Sequence, residues 1–333
     1  MSAHGFSLVT GGLGFIGRHL VEALIKRGKQ VRVLDINPNT RQFHGEVDIY
    51  KGSILDRNII EQVLEGVTDV YHLAAIPHLW SLNTNDFFEV NFKGTEILLN
   101  EAKKFPINRF VYTSSEAVLS GWRHKSIEPI DETQPLPLPE ELPGPYSRSK
   151  LLAEKAVHKA VQEGLPAVIV YPTIPIGAGD VNLTPPTRMI KDFLNGKTLA
   201  YLECNLNLIP VKAVAEGHIL AAEMGSVGER YILGQDNMKM SELLLMIEQQ
   251  LGRKMPKRKV PYSVAILAAR VMELMAKLNH KMPPASVEGV RLAGTNMVFD
   301  CSKARKELAL SQYSTPQALL EAAGWLEEHG HLD

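Results

Sequence analysis

Two clusters of side chains in this 333-residue chain have the types and spacing for chemistry on a carbon–oxygen bond. The first is Tyr146-Ser-Arg-Ser-Lys150, whose phenol and ammonium lie four residues apart and share one face of a helix. A free phenol titrates at about 10, so a tyrosine that exchanges a proton near neutrality needs positive charge nearby. Lys150 supplies it. The second cluster is Ser114 and Ser115 within Val111-Tyr-Thr-Ser-Ser-Glu-Ala-Val118, where a hydroxyl could hold the reacting oxygen. Plainer alternatives exist: Tyr146 and Lys150 could decorate a solvated helix face, and the serines could close a strand. The order of both clusters after a glycine-rich turn favours the chemical reading.

That turn is Ser7-Leu-Val-Thr-Gly-Gly-Leu-Gly-Phe-Ile-Gly17, running from a strand into the amphipathic helix Arg18–Lys26. Gly11 permits the tight turn, Gly14 lets backbone amides approach a pyrophosphate, and Gly17 lets helix pack on strand. The helix dipole favours the anion beside Phe15 and Ile16. Asp35 ends the next strand, where it can accept from the ribose hydroxyls of a dinucleotide and repel a 2′-phosphate, so NAD is expected over NADP. Asp35 could instead cap a turn with Asn37 and Pro38, and Arg41 could rescue a phosphate from the loop.

Positioning these groups requires a particular architecture. Short β-branched runs alternate with helical periods up to Tyr171, which predicts a doubly wound parallel α/β sheet with helices on both faces. The expected strands are Phe6–Thr10, Val31–Leu34, Val47–Tyr50, Val70–Leu73, Phe110–Thr113 and Ala167–Tyr171. Helices are expected near Gly14, Asp56, Asp86 and Tyr146, the first stopping at Gly28. After Pro172 the pattern changes to turns at 172–179 and at Pro185–Pro186, then helices Ala213–Met224, Ser241–Leu251, Pro261–Asn279 and Pro316–Glu328, the last capped by Thr315. The expected division is residues 1–172 for the dinucleotide, with sheet elements also from about 205–235, and 173–333 mostly as a smaller α+β substrate lobe.

Composition narrows the field. With 36 basic and 37 acidic residues, no general field gathers nucleic acid or anionic lipid, and no local patch is indicated. Cys204 and Cys301 lack disulfide or metal-ligand spacing, so a reducing compartment and no metal are expected. The start of the chain shows no basic-then-apolar signal, which fits the cytosol. The basic run Lys254, Lys257, Arg258 and Lys259 reads as a solvated connection between helices. Pro261–Asn279 carries Arg270, Glu273 and Lys277 at helical spacing and reads as core or a pocket lid, with peripheral membrane contact the minority reading.

The glycine pattern, Asp56 after Gly52, Tyr71-His-Leu-Ala-Ala75, Asn91-Phe-Lys-Gly-Thr95, Ser114-Ser115 and Tyr146/Lys150 together resemble the extended short-chain dehydrogenases/reductases over essentially the whole chain. Glu229-Arg-Tyr-Ile-Leu-Gly234 and Phe299-Asp-Cys-Ser-Lys-Ala304 resemble the branch of 3β-hydroxysteroid dehydrogenases, dihydroflavonol reductases and hopanoid-associated epimerase-like proteins. The resemblance implies that Ser115 orients the substrate oxygen, Tyr146 transfers the proton, and Lys150 holds the nicotinamide ribose while lowering the tyrosine pKa. It implies that Asp56 faces adenine and that Ala74 and Ala75 line the cofactor, with Ile54, Leu73, Asn91, Thr113, Tyr171 and Pro172 also at that site. It further implies a homodimer through helices Asp86–Lys104 and Tyr146–Gln162.

Sugar-nucleotide epimerases of that superfamily place arginines against the substrate diphosphate. Here the corresponding segments read Leu206-Asn-Leu-Ile-Pro-Val211 and Tyr171-Pro172, without those cations. A less charged cyclic alcohol or ketone is expected, such as a sterol, terpenoid or flavonoid, with His78, Trp80, Glu116, Trp122, Ile174 and Ile176 as candidate pocket residues. His78 and the tryptophans could equally be core or surface residues. The rivals are an epimerase or dehydratase that returns its hydride within one turnover, and a non-catalytic NAD-binding scaffold or sensor.

Overall fold

A computed structural model of the protein describes residues 5–37, 43, 45–119, 121 and 128–332. Trp122, Pro38 and Arg41 lie outside the described residues.

The central sheet has seven strands, all paired in parallel: β1 (Phe6–Thr10), β2 (Val31–Asp35), β3 (Val47–Lys51), β4 (Val67–His72), β5 (Arg109–Thr113), β6 (Ala167–Pro172) and, after intervening elements, a strand at Arg230–Leu233. The spatial order runs β3-β2-β1-β4-β5-β6 and then Arg230–Leu233. Strand order reverses between β1 and β4, which opens a crevice at their carboxyl ends. The six strands expected from sequence are all present, with ends shifted by a few residues.

Helices cover both faces, which is why inner strands such as β6 are buried along their whole length and read as continuous apolar runs. On one face lie α1 (Phe15–Lys26) and a later helix, Val211–Met224. The other face carries α2 (Arg57–Leu64), α3 (Asn85–Phe87) leading through a π turn (Phe88–Lys93) into α4 (Gly94–Ala102), and α5 (Pro145–Gln162). Helix α1 ends where expected: Gly28 follows its cap at φ +72°, a conformation that favours glycine.

Beyond Pro172, β7 (Ile174–Ile176), β8 (Ala200–Tyr201), β9 (Asn205–Pro210), β10 (Arg230–Leu233), β11 (Asp236–Lys239) and β12 (Arg258–Lys259) alternate with α6 (Pro185–Leu194), α7 (Val211–Met224), α8 (Met240–Leu251), α9 (Tyr262–Asn279), α10 (Val287–Gly294), α11 (Ser302–Glu307) and α12 (Thr315–Glu328). Of the segment expected to reach the main sheet, only β10 does so; β9 pairs with β7 and β11 in a separate three-stranded sheet. A third apolar cluster, from Ile176 to Leu326, packs these elements together.

Several local expectations need correction. Pro185 and Pro186 form the first turn of α6, where a missing N–H costs nothing, instead of a loop. Ser314, not Thr315, caps α12 by accepting from the Gln317 amide at 3.2 Å, while the Thr315 hydroxyl donates to Asp236. Helix α9 is not core: among its residues only Ala269 and Ala276 are buried, and most of its large apolar side chains, Ile266 and Met272 excepted, are exposed.

Candidate active site

A cavity of about 780 Å³ begins at the β1–α1 turn, passes the ends of β4 and β5, and ends against α6 and α10. Its first half could hold a dinucleotide. A Cβ on Gly17 would lie 2.2 Å from the Gly11 carbonyl oxygen, so helix and strand approach as closely as only glycine permits. Gly11, at φ +71°, is held as tightly against Ala74, where a Cβ would come within 2.8 Å of the backbone nitrogen. Helix α1 starts at Gly14 with no side chain capping its amides and no acid in its first turn. Those open N–H groups suit a pyrophosphate.

Asp35 lies on the cavity wall. One carboxylate oxygen accepts from the Leu13 amide and the other from the Asn37 amide, both at 2.9 Å. The turn-capping alternative is therefore real, but each oxygen keeps a lone pair for a ribose hydroxyl. Phe15, Ile16, Ile54, Leu73, Ala74, Ala75, Thr113 and Pro172 also border the cavity.

Three expected cofactor residues do not border it. Asp56 accepts from the Asn58 amide at 3.0 Å and caps α2, leaving Gly52 and Ser53 on the wall. Buried Asn91 accepts from the Ile76 amide at 2.7 Å and donates to Ser149 at 3.1 Å, bracing the wall from behind. Tyr171 is fully buried and donates to Glu154.

Ser115, Tyr146 and Lys150 meet at the middle of the cavity. Ser115 leaves the end of β5 and hydrogen bonds with the Tyr146 phenol. Ser114 instead donates to Glu154 at 2.6 Å, which separates the roles of the two serines. Lys150 donates from Nζ to the Thr113 carbonyl at 2.6 Å and lies 4.6 Å from the centre of the Tyr112 ring. This bond ties α5 to the end of β5.

Burial dominates the electrostatics. It pushes the Tyr146 phenol up to about 12, opposed by the Ser115 hydrogen bond and reinforced by Glu288 and Glu116. It brings Lys150 down to about 7, opposed by Glu154. Glu116, on the same wall, rises to about 8. Lys150 is not among the groups that shift Tyr146 here, and burial moves Tyr146, Lys150 and Glu116 each toward the neutral form.

The distal half of the cavity is largely apolar, with Ile174, Met189, Leu206, Leu292 and Phe299 on its wall. His78 borders it and its buried Nδ1 has no hydrogen-bond partner, leaving one polar point for a ligand. Trp80 is half-buried and off the wall. Ile176 packs into the third apolar cluster.

Sequence reasoning missed Glu288. From α10 its carboxylate accepts from the amides of Tyr146 at 3.1 Å and Ser147 at 2.8 Å and from the Ser147 hydroxyl. It caps α5, whose N-cap, Gly144, has no side chain to do so. A Cβ on Gly144 would lie 2.4 Å from that carboxylate. No local pattern could have exposed a partner 142 residues away.

Residues 7–234 match the NAD dependent epimerase/dehydratase family. The chain is 36% identical to a protein of Synechocystis sp. provisionally named dihydroflavonol 4-reductase, covering 97% of this chain and 95% of that one. It is 28% identical to sterol demethylase protein B of Methylococcus capsulatus, covering 98% and 99%. The crystal structure of gox2253 superimposes with a TM-score of 0.86 at 32% identity, covering 99% of this chain and 100% of that one.

Proposed function

Since this chain belongs to the NAD dependent epimerase/dehydratase family, we propose that it is an oxidoreductase interconverting a secondary alcohol and a ketone on a largely apolar cyclic substrate, with NAD as its cofactor. The observation that carries this reading is the wall itself: Ser115, Tyr146 and Lys150 open onto an apolar distal space, and no arginine borders the cavity among the described residues. A diphosphate-bearing substrate would meet no paired cation there. Kinship with proteins named as a dihydroflavonol reductase and a sterol demethylase component supports the substrate class.

When bound, NAD supplies a hydride acceptor or donor beside the reacting carbon. Gly11, Gly14 and Gly17 admit its pyrophosphate, and Asp35 accepts from the adenosine ribose and disfavours a 2′-phosphate. Ser115 holds the substrate oxygen, and Tyr146 Oη takes its proton in the direction of oxidation and returns it in reduction. Lys150 holds the nicotinamide ribose and, once charged, lowers the cost of phenolate. His78 offers a hydrogen bond to a distal polar group, while Ile174 contributes apolar wall. Residues 1–172 with β10 form the cofactor unit, and 173–333 form most of the substrate lobe. The enzyme works in the cytosol as a homodimer.

The test is to incubate the protein with NAD and a panel of sterol, terpenoid and flavonoid alcohols while following reduced nicotinamide. Accumulation with one alcohol class is expected, and Tyr146→Phe should slow it by about 10²–10⁴-fold. Isomerised substrate without net NADH would give the site to an epimerase. A parent-like rate in Tyr146→Phe would remove the proton-transfer role.

A further inference from the structure

Helix α9 is built inside out. Its large apolar residues Val264, Leu267, Val271, Leu274, Met275 and Leu278 are all at least half exposed, with Leu278 reaching 77%. Their spacing places them along one stripe of the helix. The opposite side, on which α9 meets α10, carries the buried Ala269 and Ala276 with the partly buried Ile266, Met272 and Glu273. A soluble protein ordinarily puts its leucines inward and leaves alanines to chance, so this stripe needs a cover.

The charges around the stripe say what kind. From Arg253 to Lys281 the chain has eight lysines and arginines against one glutamate. That glutamate, Glu273, accepts from the Val287 amide at 2.7 Å and is occupied within the fold. Lys254, Lys257 and Arg258 are exposed just before the helix, Arg270 and Lys277 are exposed two turns apart along it, and Lys281 is exposed just after it. An apolar stripe among cations complements a surface of acyl chains and anionic headgroups. No helix among the described residues is long and apolar enough to cross a membrane, so the contact lies along the surface.

We infer that the outer face of α9, with the basic residues flanking it, seats this protein on an anionic lipid bilayer. The position has a consequence for the cavity. Helix α10 packs between α9 and the distal pocket, to which it contributes Gly289, Leu292 and Ala293. It is held close: a Cβ on Gly294 would lie 2.4 Å from the Tyr262 ring. The seated protein would then have its apolar pocket about one helix diameter, roughly 10 Å, from the lipid. Delivery of substrate from the lipid phase rests on the reading above; the seating does not.

The full-length protein is sedimented with vesicles of phosphatidylcholine alone and with vesicles about one third phosphatidylglycerol, at low and physiological salt. Binding is expected with the anionic vesicles, weakening as salt rises. Leu267→Glu/Leu274→Glu/Leu278→Glu should reduce the bound fraction about tenfold, and Lys254→Glu/Lys257→Glu/Arg258→Glu should abolish the preference for anionic lipid. Circular dichroism and melting temperature check that both variants stay folded, as substitution of exposed side chains predicts. Absence of wild-type binding to anionic vesicles, or binding unchanged in the leucine variant, overturns the inference. So does a halved mass for the leucine variant in light scattering, which would assign the face to a second copy. Vesicle binding without turnover of any alcohol would overturn the proposed activity and leave the seating intact.

Discussion

Glu116 and Lys150 occupy one cavity wall, and burial shifts them in opposite directions with opposite consequences for stability. The Glu116 carboxyl titrates near 8 in the folded chain against 4.5 ordinarily. Between those values the folded chain holds a proton the unfolded chain has lost, so this contribution declines as pH rises through the window. Glu116→Gln should therefore raise the melting temperature relative to the parent more at about pH 9 than at about pH 5, and an equal change at both would contradict the assignment. Lys150 titrates near 7 folded against 10.5 ordinarily. Its penalty stands in full below the lower value and is relieved as pH climbs to the upper one. Lys150→Met should melt higher than the parent at about pH 6 while losing alcohol oxidation. For Asp35, replacement by Ser should raise the KM for NAD about tenfold and improve relative use of NADP; unchanged preference would return the residue to its turn-capping role.

Among the elements, α10 both lines the distal pocket and, through Glu288, caps the helix that carries Tyr146. Glu288→Ala should cost about 1–2 kcal/mol of stability by leaving the first α5 amides without their acceptor. Its kcat should fall more than KM changes, since Tyr146 loses its anchor, and Glu288→Gln should recover part of both. Loss of stability with unchanged kcat would confine the residue to folding. This coupling was illegible in sequence because it joins distant segments, whereas the glycine turn and the Tyr146–Lys150 spacing are local. Helix α9 departs from expectation for a related reason: its apolar residues are written in the sequence, but which of its sides meets the rest of the protein is not.

At the scale of the molecule, parallel order places the ends of β1, β4 and β5 around one crevice, and the later elements close its far side. Association through the π turn with α4 and through α5 would cover the partly buried Phe92, Ile97 and Ala156. Light scattering should give twice the mass of one chain, and Phe92→Glu should lower it toward one. A parent mass of one chain would exclude that pairing at the concentration measured.

Side-chain period and spacings within a turn dictate the alternation of strands and helices, the glycine turn, Asp35 at a strand end and the chain order of Ser115, Tyr146 and Lys150. Packing settles that Asp56 caps α2, that Asn91 and Tyr171 have buried side-chain partners, that Glu288 reaches the first turn of α5, and that the leucines of α9 face outward. Those outcomes depend on which distant surface a side chain meets, and burial, which sets both partner and pKa, belongs to the packed molecule.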